Sequence, residues 1–140
     1  LDPSVESVLL DRQPALVRLL GSTATVGAAV ENRIWQVLPD VEIIRYNGRD
    51  RFETAAMLNA DVFTEPGVEV TLTNGLRFPD ALAGASRVNV TGGPMVPVMT
   101  ACVPPVSFDS IVDLEPVAIT ALGKTDAVSD EALEGQACTR

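Results

Sequence analysis

The chain has 140 residues, of which 46 % are hydrophobic, and its net charge is −9. This length suffices for one globular domain with its own core, and no apolar run approaches the roughly 18 residues that a membrane helix needs. The acidic balance argues against nucleic-acid binding, because phosphate contacts require a basic face. The chain contains no histidine, which excludes Ser-His-Asp and Cys-His catalysis and zinc sites with histidine ligands.

Five apolar runs rich in valine, isoleucine and leucine have the composition of buried parallel strands. These predicted strands are residues 15–20, 41–45, 68–73, 95–99 and 117–122. Pro97 lies inside the fourth run. It predicts an edge strand or a broken strand, because proline cannot donate a hydrogen bond to a sheet ladder.

Segments with helical patterns alternate with these strands, at residues 4–10, 25–38, 53–63, 79–90, 107–114 and 128–137. In the second segment, for example, Val26, Val30 and Ile34 recur at helical spacing, and Pro39 ends the pattern. Regular alternation of strand and helix predicts an α/β fold with a doubly wound, mainly parallel sheet.

The chain also matches itself at an offset of 102 positions. The identical pairs include Pro3 with Pro105, Asp11 with Asp113, Pro14 with Pro116, Leu20 with Leu122 and Gly21 with Gly123. A pattern that restarts after about a hundred residues indicates tandem units. We therefore assign residues 1–40 to the C-terminal part of a preceding repeat and residues 41–140 to one complete repeat.

Polar residues and glycines follow three of the predicted strands, in residues 46–51, 74–80 and 123–126. In an open parallel sheet, ligands bind outside the carboxyl ends of the strands. We therefore expect these segments to gather at one edge as a candidate site. Arg45, Arg49 and Arg51 would make that edge locally basic.

The same residues also have an ordinary structural explanation. Asp50 and Glu53 have the spacing of a helix capping box. Asn74-Gly75 is typical of a turn, and Asp80 would be favoured by the helix dipole in a first helical turn. The residue pattern alone leaves both interpretations open.

Cys102 and Cys138 are the two cysteines. Without CxxC spacing and without histidine they cannot form a zinc site. They are either two separate buried thiols or a disulfide formed in an oxidising compartment. Residues 1–3 lack the basic start of a signal peptide, so we expect a cytosolic protein or a piece of a secreted one, and the repeat favours the piece.

Four motifs lie in order along residues 43–137. They are Gly48-Arg49-Asp50-Arg51-Phe52-Glu53-Thr54-Ala55, then Asn74-Gly75 with Phe78-Pro79-Asp80-Ala81-Leu82-Ala83, then Gly93-Pro94 with Thr100, and finally Leu122-Gly123-Lys124-Thr125-Asp126-Ala127-Val128-Ser129. Together they resemble the cell-wall-binding type 2 repeat of Gram-positive surface proteins. The final motif recurs at residues 20–26, as expected for the preceding unit.

The resemblance implies a flavodoxin-like or Rossmann-like three-layer α/β unit that has no catalytic activity, cofactor or metal. It implies a module of a secreted protein at the cell wall or cell surface, attached noncovalently through an anionic secondary wall polymer. Neighbouring repeats or a homo-oligomer such as a trimer are the other expected partners, and nucleic acid and membrane are not. An exported module also implies a disulfide between Cys102 and Cys138.

The resemblance places polymer contacts at the basic and polar residues of the predicted edge. The candidates are Arg45, Arg49, Asp50, Arg51, Asn74, Arg77, Asp80 and Lys124. The net charge of −9 opposes long-range attraction of an anion, so we expect local contacts or bridging by divalent cations.

Two alternative functions follow from other features. One is an interaction module whose repeats bind each other or another surface protein, because residues 1–40 need a covering partner. The other is a nucleotide-binding or flavin-binding enzyme, which rests on fold analogy alone. Gly123-Lys124-Thr125 resembles the end of a phosphate loop, but Ala118 occupies the position of its first glycine.

Overall fold

The computed structural model describes residues 1–139, in which helices and strands alternate as predicted. The elements are α1 (Pro3–Arg12), β1 (Leu16–Leu20), α2 (Ala28–Val37), β2 (Glu42–Tyr46), α3 (Arg51–Val62), β3 (Glu69–Asn74), α4 (Phe78–Thr91), β4 (Met95–Val98), α5 (Pro105–Asp113), β5 (Ala118–Ala121) and α6 (Asp130–Leu133). The α/β class is confirmed. Within the described residues the strand pairings are all parallel, and they form two small sheets.

The chain divides into two compact units, Leu1–Gly48 and Arg49–Arg140. In the first unit, β1 pairs with β2, with Leu16 opposite Glu42. The spatial boundary falls after β2, whereas the repeat boundary inferred from the sequence falls before it. The assignment of residues 1–40 and 41–140 to two repeats remains a proposal about sequence units, since the first strand of one repeat can complete the sheet of the unit before it.

The core of the first unit forms between β1, α2 and the start of the second strand segment. Its buried side chains are Leu19, Ile34, Leu38 and Val41. Ile34 is one of the apolar residues that recur at helical spacing in this segment, and it is 2 % exposed. The apolar periodicity therefore identifies the helix face that packs against the strands.

The second unit is built on a sheet of order β4-β3-β5. Its central strand carries fully buried side chains, including Val70 and Leu72. The α4 helix packs on β3, while α3 and α5 pack on each other and on β4. Pro97 lies in β4 opposite Thr73, and β4 is an edge strand, which confirms the expectation from this proline.

Within residues 1–139, the bounds of the second and sixth predicted helices differ from the structure by three residues or more, and those of the other four by one or two. The α2 helix begins at Ala28, not at residue 25, because the amides of Thr25 and Val26 donate to Ser22 O in a preceding turn. The prediction of a helix over residues 128–137 is wrong in length, because α6 ends at Leu133. The chain then turns at Gly135, whose φ is +87°, and leaves the helical path.

The turn after α6 brings the end of the chain to the segment that follows β4. Ala137 forms an isolated parallel bridge with Val103, and the amide of Cys138 donates to Val103 O at 2.9 Å. The structure contains the Cys102–Cys138 disulfide, whose Cα atoms lie 4.9 Å apart across a sequence separation of 36. The pairing that the resemblance implied is thus present.

We expect replacement of both cysteines by serine to lower the free energy of unfolding by about 4 kcal/mol, because the cross-link removes loop entropy from the unfolded chain. Urea unfolding of the two proteins measures this difference. A thiol reductant serves as the control, since it should shift the midpoint of the native protein and leave that of the variant unchanged. Equal midpoints without reductant would contradict the prediction.

Candidate functional site

Loops that follow β3 and β5 lie beside the start of α3 at one edge of the second unit. Arg51 Nη1 donates to Gly75 O at 2.7 Å, which joins the start of α3 to the loop after β3. Arg77 Nη1 lies 3.3 Å from Asp126 Oδ2, which joins that loop to the one after β5. We call residues 49–51, 74–80 and 123–126 the carboxyl edge. It contains seven of the eight candidate residues, and Arg45 lies outside it.

Asn74 holds the loops of the carboxyl edge in place. Its side chain is 2 % exposed. Nδ2 donates to Ala127 O at 2.6 Å and to Thr100 Oγ1 at 2.9 Å, and Oδ1 accepts from the amide of Leu76 at 2.8 Å. Both ends of the amide are therefore satisfied by the protein, and Asn74 positions the site.

The start of α3 is capped by residues of the first family-like motif. Asp50 Oδ1 accepts hydrogen bonds from the amides of Phe52 and Glu53, both at 2.9 Å. Glu53 Oε2 reaches back to the amide of Arg49 at 2.6 Å and to its Nε at 2.9 Å. The amide and then the guanidinium lower the pKa of Glu53. The capping interpretation is confirmed, with Glu53 bonded one residue earlier than a capping box requires.

The four cations of the carboxyl edge have exposed side chains, namely Arg49, Arg51, Arg77 and Lys124. The pair between Arg77 and Asp126 is open to solvent, with side chains 55 % and 73 % exposed. Such a pair contributes about 0–1 kcal/mol, so an incoming anion can replace it at small cost. The side chain of Arg49 is 87 % exposed while paired with Glu53.

Arg45 belongs to β2 in the first unit and has a different environment. Its guanidinium donates to Gly21 O at 2.9 Å and to Val26 O at 3.0 Å. It also forms an ion pair with Glu31, at 2.7 Å, in which the Arg45 side chain is 14 % exposed. These contacts tie β2 to the loop after β1. They give Arg45 a role in the fold.

Asp80 lies in the first turn of α4, half-buried. Its carboxylate approaches the loop after β5, because a Cβ atom on Gly123 would lie 2.8 Å from Asp80 Oδ2. Gly123 also has a φ of +90°, which an L side chain rarely adopts. Glycine at this position therefore permits both the turn and the approach of the carboxylate.

The exposed apolar side of α4 is a feature that the sequence reasoning missed. Phe78, Leu82 and Val90 are 74 %, 69 % and 86 % exposed, whereas Gly84 is the buried residue of this helix. A Cβ on Gly84 would lie 2.0 Å from Leu122 Cδ1. A glycine inside a helix signals such close packing, and that signal could have identified the inward side of α4.

The second unit also contains a groove whose lining residues lie outside the carboxyl edge. A groove of about 290 Å³ lies between α3 and α5, lined in part by Met57, Phe63 and Asp109. Within residues 1–139, no group of three or more Asp, Glu, His or Cys side chains is arranged to hold a metal ion. The helices in this range are too short or too polar to cross a membrane.

Because Asn74 joins three loops, we expect Asn74→Ala to lower the free energy of unfolding by about 2–4 kcal/mol, through unsatisfied buried partners. Chemical denaturation measures the change. Asn89→Ala on the exposed side of α4 is the matched control, and we expect it to shift stability by less than about 0.5 kcal/mol. Similar small effects from both variants would contradict the role given to Asn74.

Comparison with solved structures supports this fold. Cwp6 from Clostridium difficile is similar, with a TM-score of 0.84 and 18 % identity over 95 % of this chain. Cwp8 from Clostridium difficile has a TM-score of 0.74 and 16 % identity over 91 % of this chain. This chain spans 21 % and 22 % of those two chains. The likeness confirms the three-layer α/β fold.

Comparison with protein families identifies the module. No curated protein sequence matches the chain. The model of the family described as cell wall binding domain 2 matches residues 45–133. That range contains the carboxyl edge and the motifs that place its loops. Since the match covers more than half of the sequence, the chain belongs to the cell wall binding domain 2 family.

Proposed function

We propose that this chain is a non-catalytic module that attaches a secreted protein to the bacterial cell wall by binding an anionic secondary wall polymer. Family membership supports the wall as the target and the cell wall or cell surface as the location. The polymer and the contacting residues are inferred from the carboxyl edge. The chain is a fraction of the length of its structural relatives, so the activity of any larger protein lies outside the proposal.

The observation that carries the proposal is the set of exposed cations at the carboxyl edge. Arg51 and Arg77 each use one nitrogen in a contact within the protein, which leaves further N–H groups for a ligand. Guanidinium groups bind phosphate and carboxylate oxygens through paired, charge-assisted hydrogen bonds. Lys124 adds an exposed ammonium in the loop after β5. Repeating anionic groups of a polymer suit such a set.

The other candidate residues either position the site or contact the polymer. Asn74, Asp50 and Arg45 use their polar atoms within the fold, so we assign them to positioning. Arg49 is exposed, and we retain it as a peripheral contact.

Because the net charge of the chain is −9, an anionic polymer can be attracted only by local contacts with cations. Salt screens exposed charges over about 8–10 Å at physiological ionic strength, so contact at the edge can be favourable on an acidic protein. Asp80 and Asp126 stand at the same edge and offer carboxylates to a divalent cation. A cation shared with an anionic polymer is therefore the second route to binding.

We expect the double variant Arg77→Ala, Lys124→Ala to bind isolated cell walls at least about tenfold more weakly, the equivalent of about 1.4 kcal/mol. Sedimentation of the purified chain with walls measures the affinity. The matched control is Arg12→Ala, Arg33→Ala, which removes the same charge from the first unit and should bind within twofold of the native chain. Equal affinity of both variants would contradict contact by these cations.

Added salt and chelator separate the two routes of binding. Direct ion pairing predicts weaker binding as salt rises and no effect of chelator. Cation bridging predicts loss of binding with chelator and recovery when calcium or magnesium is restored. Binding that responds to neither treatment would contradict an anionic ligand.

A second candidate function is association with neighbouring repeats, and the exposed apolar side of α4 supports it. Exposed apolar patches of this kind mark protein–protein contacts. Phe78 and Leu82 lie one helical turn apart on this side, as a contact surface for another repeat requires.

We expect the native chain to self-associate with rising concentration and Leu82→Glu to remain monomeric, because a charge on this surface opposes burial. Sedimentation velocity measures the change. Val112→Glu on α5 is the matched control, since Val112 is 56 % exposed on another helix. A native chain that stays monomeric at every concentration and still binds walls would contradict this second function.

A further inference from the structure

The same turn follows β1 in the first unit and β5 in the second. Gly21 and Gly123 open the two turns with φ angles of +115° and +90°. In each, the carbonyl of the next residue accepts from the amides three and four positions later, namely Ser22 O from Thr25 and Val26, and Lys124 O from Ala127 and Val128. The sequence offset of 102 is therefore also a repeat of backbone structure, and β5 is the counterpart of β1.

In the first unit, the outer side of this arrangement is occupied by β2. The amide of Gly21 donates to Tyr46 O at 2.8 Å, so the ladder continues into the turn. Arg45 then donates to Gly21 O and Val26 O, at 2.9 and 3.0 Å. A strand and its arginine together satisfy three backbone groups of the turn, which are the amide and carbonyl of Gly21 and the carbonyl of Val26.

In residues 49–139, the corresponding groups of the second unit have no such partner. The β5 strand is an edge strand, paired with β3 on one side. Within residues 1–139, no hydrogen bond uses the amide of Gly123, its carbonyl or the carbonyl of Val128. Val117 and Ile119 beside this edge are 75 % and 39 % exposed. An edge of this kind is a template for strand addition.

We propose that the outer edge of β5 binds a parallel strand of the β2 type, supplied by a repeat that follows this one, and that the arginine of that strand donates to the carbonyls of Gly123 and Val128. The occupant is inferred from the first unit, where β2 covers the equivalent edge. Wall binding is a separate matter, and the proposal does not depend on it.

The pairing of β1 with β2 fixes the register. Leu16 lies opposite Glu42 and Leu20 opposite Tyr46, so Ala118 should face the first residue of the incoming strand and Leu122 the last. The two units differ in the residue that would pair with the arginine. Glu31, which pairs with Arg45, has Leu133 as its counterpart at the same offset. The incoming arginine therefore lacks an ion-pair partner at that position.

The test extends the full chain beyond residue 140 with a 15-residue glycine/serine linker and a copy of residues 41–48. Such a linker is a flexible chain with a root-mean-square length of roughly 20 Å. Amide hydrogen exchange of Gly123 is the direct readout, because the equivalent amide of Gly21 is bonded to the covering strand. We expect exchange at Gly123 to slow at least tenfold, with exchange in β1 unchanged.

A tail in which the copy of Arg45 is replaced by alanine is the matched control. We expect it to give at least threefold less protection at Gly123 than the native tail. Equal protection by both tails, or none by either, would overturn the proposal. Protection that rises with concentration in the chain without a tail would identify a second copy as the occupant and would also overturn it.

Leu133→Glu is a second test, because it would give the incoming arginine the ion-pair partner that Glu31 provides for Arg45. Leu133 is 38 % exposed, so the substitution leaves the core intact. We expect Leu133→Glu to slow amide exchange at Gly123 a further threefold or more when the tail contains the arginine. With the tail in which alanine replaces this arginine, we expect no change. Leu133→Gln is the uncharged control. The same response with both tails would contradict the predicted position of the arginine.

Discussion

The carboxyl edge depends on one buried side chain, the amide of Asn74. A buried amide without partners would cost several kcal/mol, yet this one meets the loop before α4, the loop after β4 and the turn after β5. Because its donors and its acceptor are all used, the three loops have one mutual arrangement. Arg77 extends from one of these loops, and Arg51, at the start of α3, donates to Gly75 O of the same loop.

Two arginines of this protein illustrate how environment separates residues of one type. Arg45 lies among carbonyls and beside a carboxylate, and its side chain is 14 % exposed. Arg77 meets Asp126 at the surface, and its side chain is 55 % exposed. The first has its donors fixed by the fold, while the second has donors in contact with solvent. Only the second kind can exchange a protein partner for an external anion at small cost.

The two units differ in the partners of the backbone groups at the outer edge of the strand before the turn. In the first unit, β2 continues the ladder and Arg45 supplies the donors for two carbonyls of the turn. In residues 49–139 the same turn recurs, and no strand covers its outer edge. Because β2 completes the sheet of the first unit, the boundary between the two spatial units falls one strand after the boundary that we propose for the sequence repeats.

The sequence by itself determined the strand and helix order, the edge position of Pro97 and the cap at Asp50, since apolar periodicity, missing donors and capping spacing act locally. The family-like motifs likewise identified the module. Only the tertiary structure decided that α6 ends at Leu133, that the outer side of α4 is apolar, and that Arg45 serves the fold while Arg77 faces solvent. These outcomes depend on contacts between residues far apart in the chain. A local sequence pattern does not specify which distant residue a side chain contacts.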